Sequence, residues 1–335
     1  MQRSLLVERI NNAKDQNFGA LALAIFNYQA QHNPVYAQFL QLLNVKQADV
    51  RQLSDIPFLP IELFKTYDLQ TGNWTADRVF TSSGTTGKQT SRHLLRDPQA
   101  YRQNARRTFE QYYGPLSTWV VLALLPAYLE RTGSSLLFMA EDFIHQSDTE
   151  RGGFFLYDHD ELLARIEAVE AQNARLPTAQ RQRILLLGVS FALLDLAERQ
   201  VRLPASVTVM ETGGMKGRRR EITRQELHQR LEKAFGLPQI HSEYGMTELL
   251  SQAYAVGHQF RPAPTMRVLA REVTDPGRIL PHGKAGALNI IDLANLDTIS
   301  FIATQDLGRV YADGSFEVLG RLDASDVRGC NLLVG

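Results

Sequence analysis

The sequence predicts an α/β fold with a β-rich end, on two observations. Between residues 119 and 236 short apolar runs alternate with helix-patterned segments, the texture of parallel βαβ packing in layered sheets. After about residue 260 the helical period stops, and short strand-like runs are separated by turn residues, as in a small β-rich subdomain. The chain has 335 residues, of which 44% are hydrophobic. That is enough for about two domains, or one large unit with subdomains, and for a sizeable buried core.

The elements follow in order. Leu5, Leu6 and Ile10, then Phe18, Leu21, Ala22, Ile25 and Phe26, recur at helical spacing, so residues 1–55 read as a helical arm. Ile56-Pro57-Phe58-Leu59-Pro60-Ile61 carries two prolines and predicts an extended crossing segment. The boundary to a body spanning 56–335 is placed there. Asp97 is an N-cap with Pro98 at the first helical position, Tyr101, Ala105, Phe109 and Tyr112 share a face, and Gly114 ends the helix. The runs 119–125, 184–187 and 207–210 are short and continuously apolar, as buried strands are. Thr223-Arg224-Gln225-Glu226 has capping-box form. It opens a helix with Leu227, Leu231 and Phe235 on one face and Gly236 as a stop. The runs 268–270, 287–291, 300–303 and 316–319 are the strands of the β-rich end.

Composition excludes several classes. Lys+Arg and Asp+Glu are both 36, so the formal net charge is zero and a general nucleic-acid binder is disfavoured. A local anion site remains compatible with that balance. The lone cysteine, Cys330, excludes an internal disulfide framework and a multi-cysteine zinc site. The first residues lack the apolar core of a signal peptide, and the most apolar stretch, 119–127, is far short of the ~20 residues of a membrane span. The expectation is a soluble, cytoplasmic protein with no membrane span.

Five motifs can carry chemistry. Thr81-Ser82-Ser83-Gly84-Thr85-Thr86-Gly87-Lys88 follows a strand-like run; its glycines let backbone approach an anion, its hydroxyls donate hydrogen bonds, and Lys88 adds a charge. The spacing is not that of a Walker A loop, and taken alone the segment also reads as a plain polar loop. His241-Ser242-Glu243-Tyr244-Gly245-Met246-Thr247-Glu248 pairs a carboxylate with a hydroxyl, suited to Mg²⁺ and phosphate, although Glu248 also suits the start of a helix. Glu211-Thr212-Gly213-Gly214-Met215 offers glycines against which a flat ring can lie, or a tight turn. Asp306, in Thr304-Gln305-Asp306-Leu307-Gly308, is a ribose acceptor or a turn carboxylate. Gly320-Arg321-Leu322-Asp323 is followed by Val327-Arg328-Gly329-Cys330-Asn331.

The order of these motifs resembles the adenylate-forming superfamily of acyl-CoA synthetases, peptide-synthetase adenylation domains and luciferases, over residues 78–335. Within it the chain is most similar to the acyl-protein synthetase, LuxE-type family of long-chain-fatty-acid–protein ligases. The residues pointing there are Ile56 through Lys65, the 82–88 loop, Glu211-Thr212-Gly213-Gly214-Met215-Lys216-Gly217 and the tail. The tail is also similar to that of phenylacetate-CoA ligases. The resemblance implies the large N-terminal domain of such enzymes and ATP- and Mg²⁺-dependent activation of a carboxylic acid, in this family a fatty acid, to an acyl-adenylate. Transfer to a thiol follows, on a partner protein such as a reductase or carrier protein, on CoA, or on Cys330 itself.

By the resemblance, Ser82, Ser83, Thr85, Thr86 and Lys88, with Gly84 and Gly87 between them, cradle the β/γ-phosphates. Gly213, Gly214 and Met215 flank adenine, Tyr244 packs on it, and Gly245 and Met246 continue the nucleotide site. Thr247 contacts the α-phosphate, Glu248 ligates Mg²⁺, Asp306 binds the ribose hydroxyls, Arg321 faces the ribose and phosphates, and Asp323 falls at a hinge. Relatives continue into a lid domain carrying a lysine that assists adenylation. This sequence ends at Gly335, which makes Lys65, Lys216 and Arg328 candidates for that cation. Cys330 is either a mobile acyl carrier near the C-terminus or a small apolar residue.

Two other classes compete. Ile184-Leu185-Leu186-Leu187-Gly188-Val189-Ser190-Phe191-Ala192 has strand, Gly-x-Ser-x-Ala, helix form, which permits an α/β-hydrolase-type acyltransferase or esterase using Ser190. The simpler reading makes Ser190 a helix N-cap. The third class is a non-catalytic nucleotide-binding module. Phe138, Tyr128, Phe191 and Tyr254 fit either an acyl pocket or the core.

Overall fold

The computed structural model describes residues 2–82, 89–126, 133–214, 220 and 222–322. They form two compact units. One holds the described residues of Met1–Tyr101, Thr247–Ser251 and Arg261–Gly335, the other those of Arg102–Met246 and Gln252–Phe260. No helix among the described residues is long and apolar enough to cross a membrane.

The second unit is the βαβ layer. Its strands run in the order Ala253–Val256, His241–Tyr244, Val207–Thr212, Arg183–Val189, Trp119–Leu124, Gly153–Phe155. All neighbouring pairs are parallel except the first, which is antiparallel. Every residue of Trp119–Leu124 is buried, which explains its unbroken apolar run. Helices Ser135–Gln146, His159–Asn173, Ser190–Ala197 and Arg224–Phe235 lie between strands in the chain. The last begins as its sequence predicts: the Thr223 hydroxyl accepts from Glu226 N, and Gly236 closes it in the left-handed conformation at φ 71°. Phe109, the ring at the centre of the aromatic core, meets Trp119, Phe143 and Tyr254 at 5.9, 5.0 and 5.9 Å.

The first unit is β-rich. Met266–Arg271, Ala285–Asp292, Phe301–Val310 and Phe316–Arg321 form an antiparallel sheet in that order. The extended Leu59–Pro60 adds to Phe301–Val310 in parallel, an edge position where proline is tolerated. A hairpin, Arg78–Thr81 with Arg92–Leu95, stands separately. Helices Arg3–Asn11, Asp15–His32 and Pro34–Leu42 bring Phe26 and Tyr36 onto Phe301, at 6.1 and 6.2 Å, with Phe58 at 6.3 Å. Helix Pro98–Tyr113 carries the chain from this unit to the other, and Asp97 caps it by accepting from the amides of Gln99 and Ala100.

Candidate functional site

In the first unit the hairpin delivers the base of the hydroxyl-rich loop. Ser82 and Ser91 close that base reciprocally: Ser82 N donates to Ser91 O at 3.1 Å, and Ser91 N donates to Ser82 Oγ at 2.8 Å. Ser83, Gly84, Thr85, Thr86, Gly87 and Lys88 lie outside the described residues. Ser91 was not singled out in the sequence, yet its buried hydroxyl donates to the carboxylate of Glu248. The loop base and the expected metal ligand are therefore joined through one side chain.

Thr247 and Glu248 occupy a turn, and no helix follows it, so a helix-start role for Glu248 is discarded. Glu248 is 7% exposed. Burial pushes its pKa up, while the Ser91 hydroxyl, its own backbone amide and the charges of Arg321 and Lys65 pull it back. It makes no ion pair among the described residues. Asp306 pairs across the sheet with Arg321, whose Nε lies 3.5 Å from Asp306 Oδ1. Arg321 thus acts on both carboxylates, Asp306 by contact and Glu248 through space. Its side chain is 71% exposed and can reach outward to a ligand. Lys65 ends the short helix Leu63–Thr66 and lines a polar cleft with Tyr67, Asp68, Gln89, Thr90 and Arg92. Of the three candidate cations only Lys65 is described; Lys216 and Arg328 lie outside, as do Met215, Asp323 and Cys330.

In the second unit the remaining predicted residues sit at the carboxyl ends of two adjacent parallel strands. Gly213 and Gly214 follow Val207–Thr212, and Tyr244 ends His241–Tyr244, with Gly245 and Met246 beyond. Strand ends of this kind are where open α/β sheets bind ligands. Gly213 turns the chain at φ 69°, while a side chain at Gly214 would meet only open space. Tyr244 is 9% exposed and packs against Phe260 at 5.6 Å. Gly245 has a conformational reason: a Cβ there would collide with the Glu243 carboxylate.

Beneath these ends lie two buried acids, Glu211 and Glu243, which the sequence motifs contain without a role of their own. Thr212 donates to Glu243, whose pKa is driven up to about 7 by burial and by its neighbour Glu211. Glu211 accepts from Ser242 at 2.6 Å and from Ser190 at 3.3 Å, with Arg224 at 3.4 Å and His228 at 3.5 Å. Alternation could not reveal them, because these strands are buried on both faces and polar positions there carry no periodic signature.

The same cluster decides the hydrolase alternative. Ser190 is the first residue of its helix, with Val189 as N-cap, so the N-cap reading is corrected. Ser190 is 2% exposed, its hydroxyl contacts Glu211 and the Gly213 carbonyl, and no histidine hydrogen-bonds to it among the described residues. The serine of an esterase elbow is exposed and paired with a histidine, whereas Ser190 is buried and lies against a carboxylate. Phe138, Phe191 and Tyr254 are buried in the second unit; Tyr128 lies outside the described residues.

No family model matches the chain, and no curated protein matches it in sequence. Solved structures do match in shape. A 2-hydroxyisobutyryl-CoA ligase in complex with 2-HIB-AMP and CoA superposes with a TM-score of 0.65 over 90% of this chain and 67% of its own, at 13% identity. The fold is that of the large N-terminal domain of adenylate-forming enzymes. ATP-bound MatB from Rhodopseudomonas palustris matches with a TM-score of 0.53 over 74% of this chain at 17% identity. The o-succinylbenzoate CoA synthetase MenE from Bacillus subtilis, in complex with ATP and magnesium, matches with a TM-score of 0.51 over 72% at 16% identity. The chain spans about half the length of these last two, 49% of each.

Proposed function

We propose that the chain activates a carboxylic acid with ATP, forming an acyl-adenylate and pyrophosphate, and passes the acyl group to a thiol. The observation that supports this most is the Thr247–Glu248 turn. It presents a buried carboxylate with no ion-pair partner among the described residues, beside the exposed Arg321 and the Asp306 it pairs with. An unpaired buried carboxylate is costly, and a bound cation relieves that cost.

The residues fit magnesium. Mg²⁺ is commonly held by one or two carboxylates with phosphate oxygens and water completing the shell, and Glu248 is such a carboxylate. When bound, the ion would neutralise charge on the phosphates. The chain's own residues do the rest. Thr247 would donate to the α-phosphate, Asp306 would accept both ribose hydroxyls, and Arg321 would stabilise charge on the phosphate side. Ser82 and the loop through Lys88 would hold the β/γ-phosphates. Gly213, Gly214, Met215 and Tyr244, with Gly245 and Met246, would form the adenine side. The substrate carboxylate attacks the α-phosphorus as pyrophosphate leaves. Lys65, the cation acting on Glu248 from the N-terminal segment, is the described candidate for the charge that assists this step.

Within the superfamily we read the chain as acyl-protein synthetase-like, with a fatty acid as substrate and Cys330, a partner reductase or carrier protein, or CoA as acceptor. Use of ATP and a free thiol places it in the cytoplasm under this reading. Pyrophosphate release with ATP, Mg²⁺ and a panel of short, aromatic and long-chain acids tests the proposal. Release dependent on one class of acid supports it; release with none, across the whole panel, overturns it.

A further inference from the structure

We propose that His93 and Asn295 are positioning residues that hold the Thr247–Glu248 turn by its two carbonyls. The proposal rests on the reading of Thr247 and Glu248 as the phosphate and metal residues.

Along the chain the turn falls between the strands ending at Tyr244 and beginning at Ala253, with no regular structure of its own. Its backbone is held from outside. His93 Nδ1 lies 2.8 Å from Thr247 O, and its Nε2 lies 3.0 Å from Thr298 Oγ1. A carbonyl oxygen only accepts, so Nδ1 carries the hydrogen, and in the neutral ring Nε2 is the acceptor facing the Thr298 hydroxyl. Both nitrogens are engaged, and Phe64 packs edge-on against the ring at 5.4 Å. Full burial holds its pKa down to about 4, in keeping with a neutral ring. Asn295 Nδ2 donates to Glu248 O at 2.8 Å. Two residues on, the amides of Leu250 and Ser251 donate to Asp292 at 2.8 and 2.9 Å.

Asp292, Asn295 and Thr298 belong to one stretch, and that stretch is gripped by the N-terminal helices. Gln29 Nε2 donates to the carbonyls of Asn295 and Leu296, both at 3.0 Å. Asn33 donates to Thr298 O at 2.9 Å, and Arg3 pairs with Asp297 at 2.5 Å. Helices thus fix a turn, and that turn fixes Thr247 and Glu248. Burying so many polar groups does little for stability unless each is bonded. Asn295 Oδ1 is buried with no partner among the described residues, and its amide also donates to Ile299 O at 3.2 Å, so the bond to Glu248 O ties the Thr247–Glu248 turn to the 295–299 turn. Outer groups of this kind set the orientation of the groups they hold.

The test uses the full chain as wild type, His93→Ala, His93→Gln and Asn295→Ala, followed by amide hydrogen exchange and by the kinetics of acid-dependent pyrophosphate release. In His93→Ala and Asn295→Ala, exchange of the peptide 247–251 rises about tenfold while the strands 285–292 and 301–310 keep their protection. The kcat falls roughly 10- to 100-fold with the KM for the acid near wild type. His93→Gln, whose amide can donate to Thr247 O, recovers most of both. Unchanged exchange at 247–251, exchange rising evenly through the unit, or unchanged kcat despite local exchange each overturn the proposal. If His93→Ala does not fold, His93→Gln and Asn295→Ala decide it by the same criteria. A wild type that exchanges as described yet releases no pyrophosphate with any acid refutes the acyl-adenylate reading, while the exchange arm still decides the positioning one.

Discussion

Glu248 carries the heaviest load of any single side chain. It is buried, its pKa is raised, and its compensating cations act through space. Glu248→Gln keeps the shape, removes the charge and leaves an amide that Ser91 can still bond. Two consequences follow. Acid-dependent pyrophosphate release drops by about two orders of magnitude or more. The thermal midpoint stays at or above that of wild type, because a buried charge with no ion-pair contact among the described residues is removed. Calorimetry beside the kinetics checks both, and a lower midpoint would show that the carboxylate stabilises the fold. Asp306→Asn is expected to raise the KM for ATP by about tenfold with a smaller effect on kcat, because a ribose contact is made equally in ground and transition states. Thr247, Glu248, Asp306 and Arg321 were singled out in the sequence because each sits in a short motif whose order along the chain is informative. His93, Ser91, Asn295 and Asp292 were not. They act across 154 residues from His93 to Thr247 and 47 from Asn295 to Glu248, and no spacing rule links such positions.

At the scale of elements, strands and caps follow from local pattern, and their buried polar contents do not. Val207–Thr212 and His241–Tyr244 carry Glu211 and Glu243 in adjacent register, Glu211 opposite Ser242 and Thr212 opposite Glu243. The Glu243 pKa of about 7 lies above the ordinary 4.5. Between those values the unfolded chain has released its proton and the folded chain has not. The contribution of Glu243 to stability is therefore present below about 4.5 and lost as pH rises through about 7. Asp292, raised to about 6, has the same sign; His93, lowered to about 4, has the opposite one and loses stability as pH falls. The whole-protein curve mixes all three. Denaturant titrations of wild type and Glu243→Gln isolate the first: the variant gains on wild type as pH rises from about 4.5 to 7. A gap that is flat over this range would contradict the assigned burial. In the other unit Phe301 is the ring on which Phe26, Tyr36 and Phe58 converge. Phe301→Ala is expected to cost about 3–5 kcal/mol, read as a lower denaturation midpoint.

For the whole molecule, the alternation of strands and helices predicts the class, and the β-rich end is where its runs predict it. The sequence does not show how the chain is shared between the two units. It leaves one within Pro98–Tyr113, returns at Thr247–Ser251, leaves again, and returns at Arg261. Each crossing is set by contacts distant in sequence, which no local pattern reports. Tyr244 belongs to one unit and Thr247 to the other, three residues apart in the sequence. The acyl acceptor is addressed separately, by intact mass after incubation with ATP, Mg²⁺ and a fatty acid. A hydroxylamine-labile adduct present in wild type and absent in Cys330→Ser is the expected result; an adduct that persists in the variant removes Cys330 as carrier. The central claim is that the Thr247–Glu248 turn serves acyl-adenylate formation. Its most direct measurement is carboxylic-acid-dependent pyrophosphate release by wild type and Glu248→Gln side by side. The account predicts release by wild type that needs both ATP and the acid, with loss of it in a folded Glu248→Gln; equal release by the two proteins, or none by wild type with any acid, would contradict it.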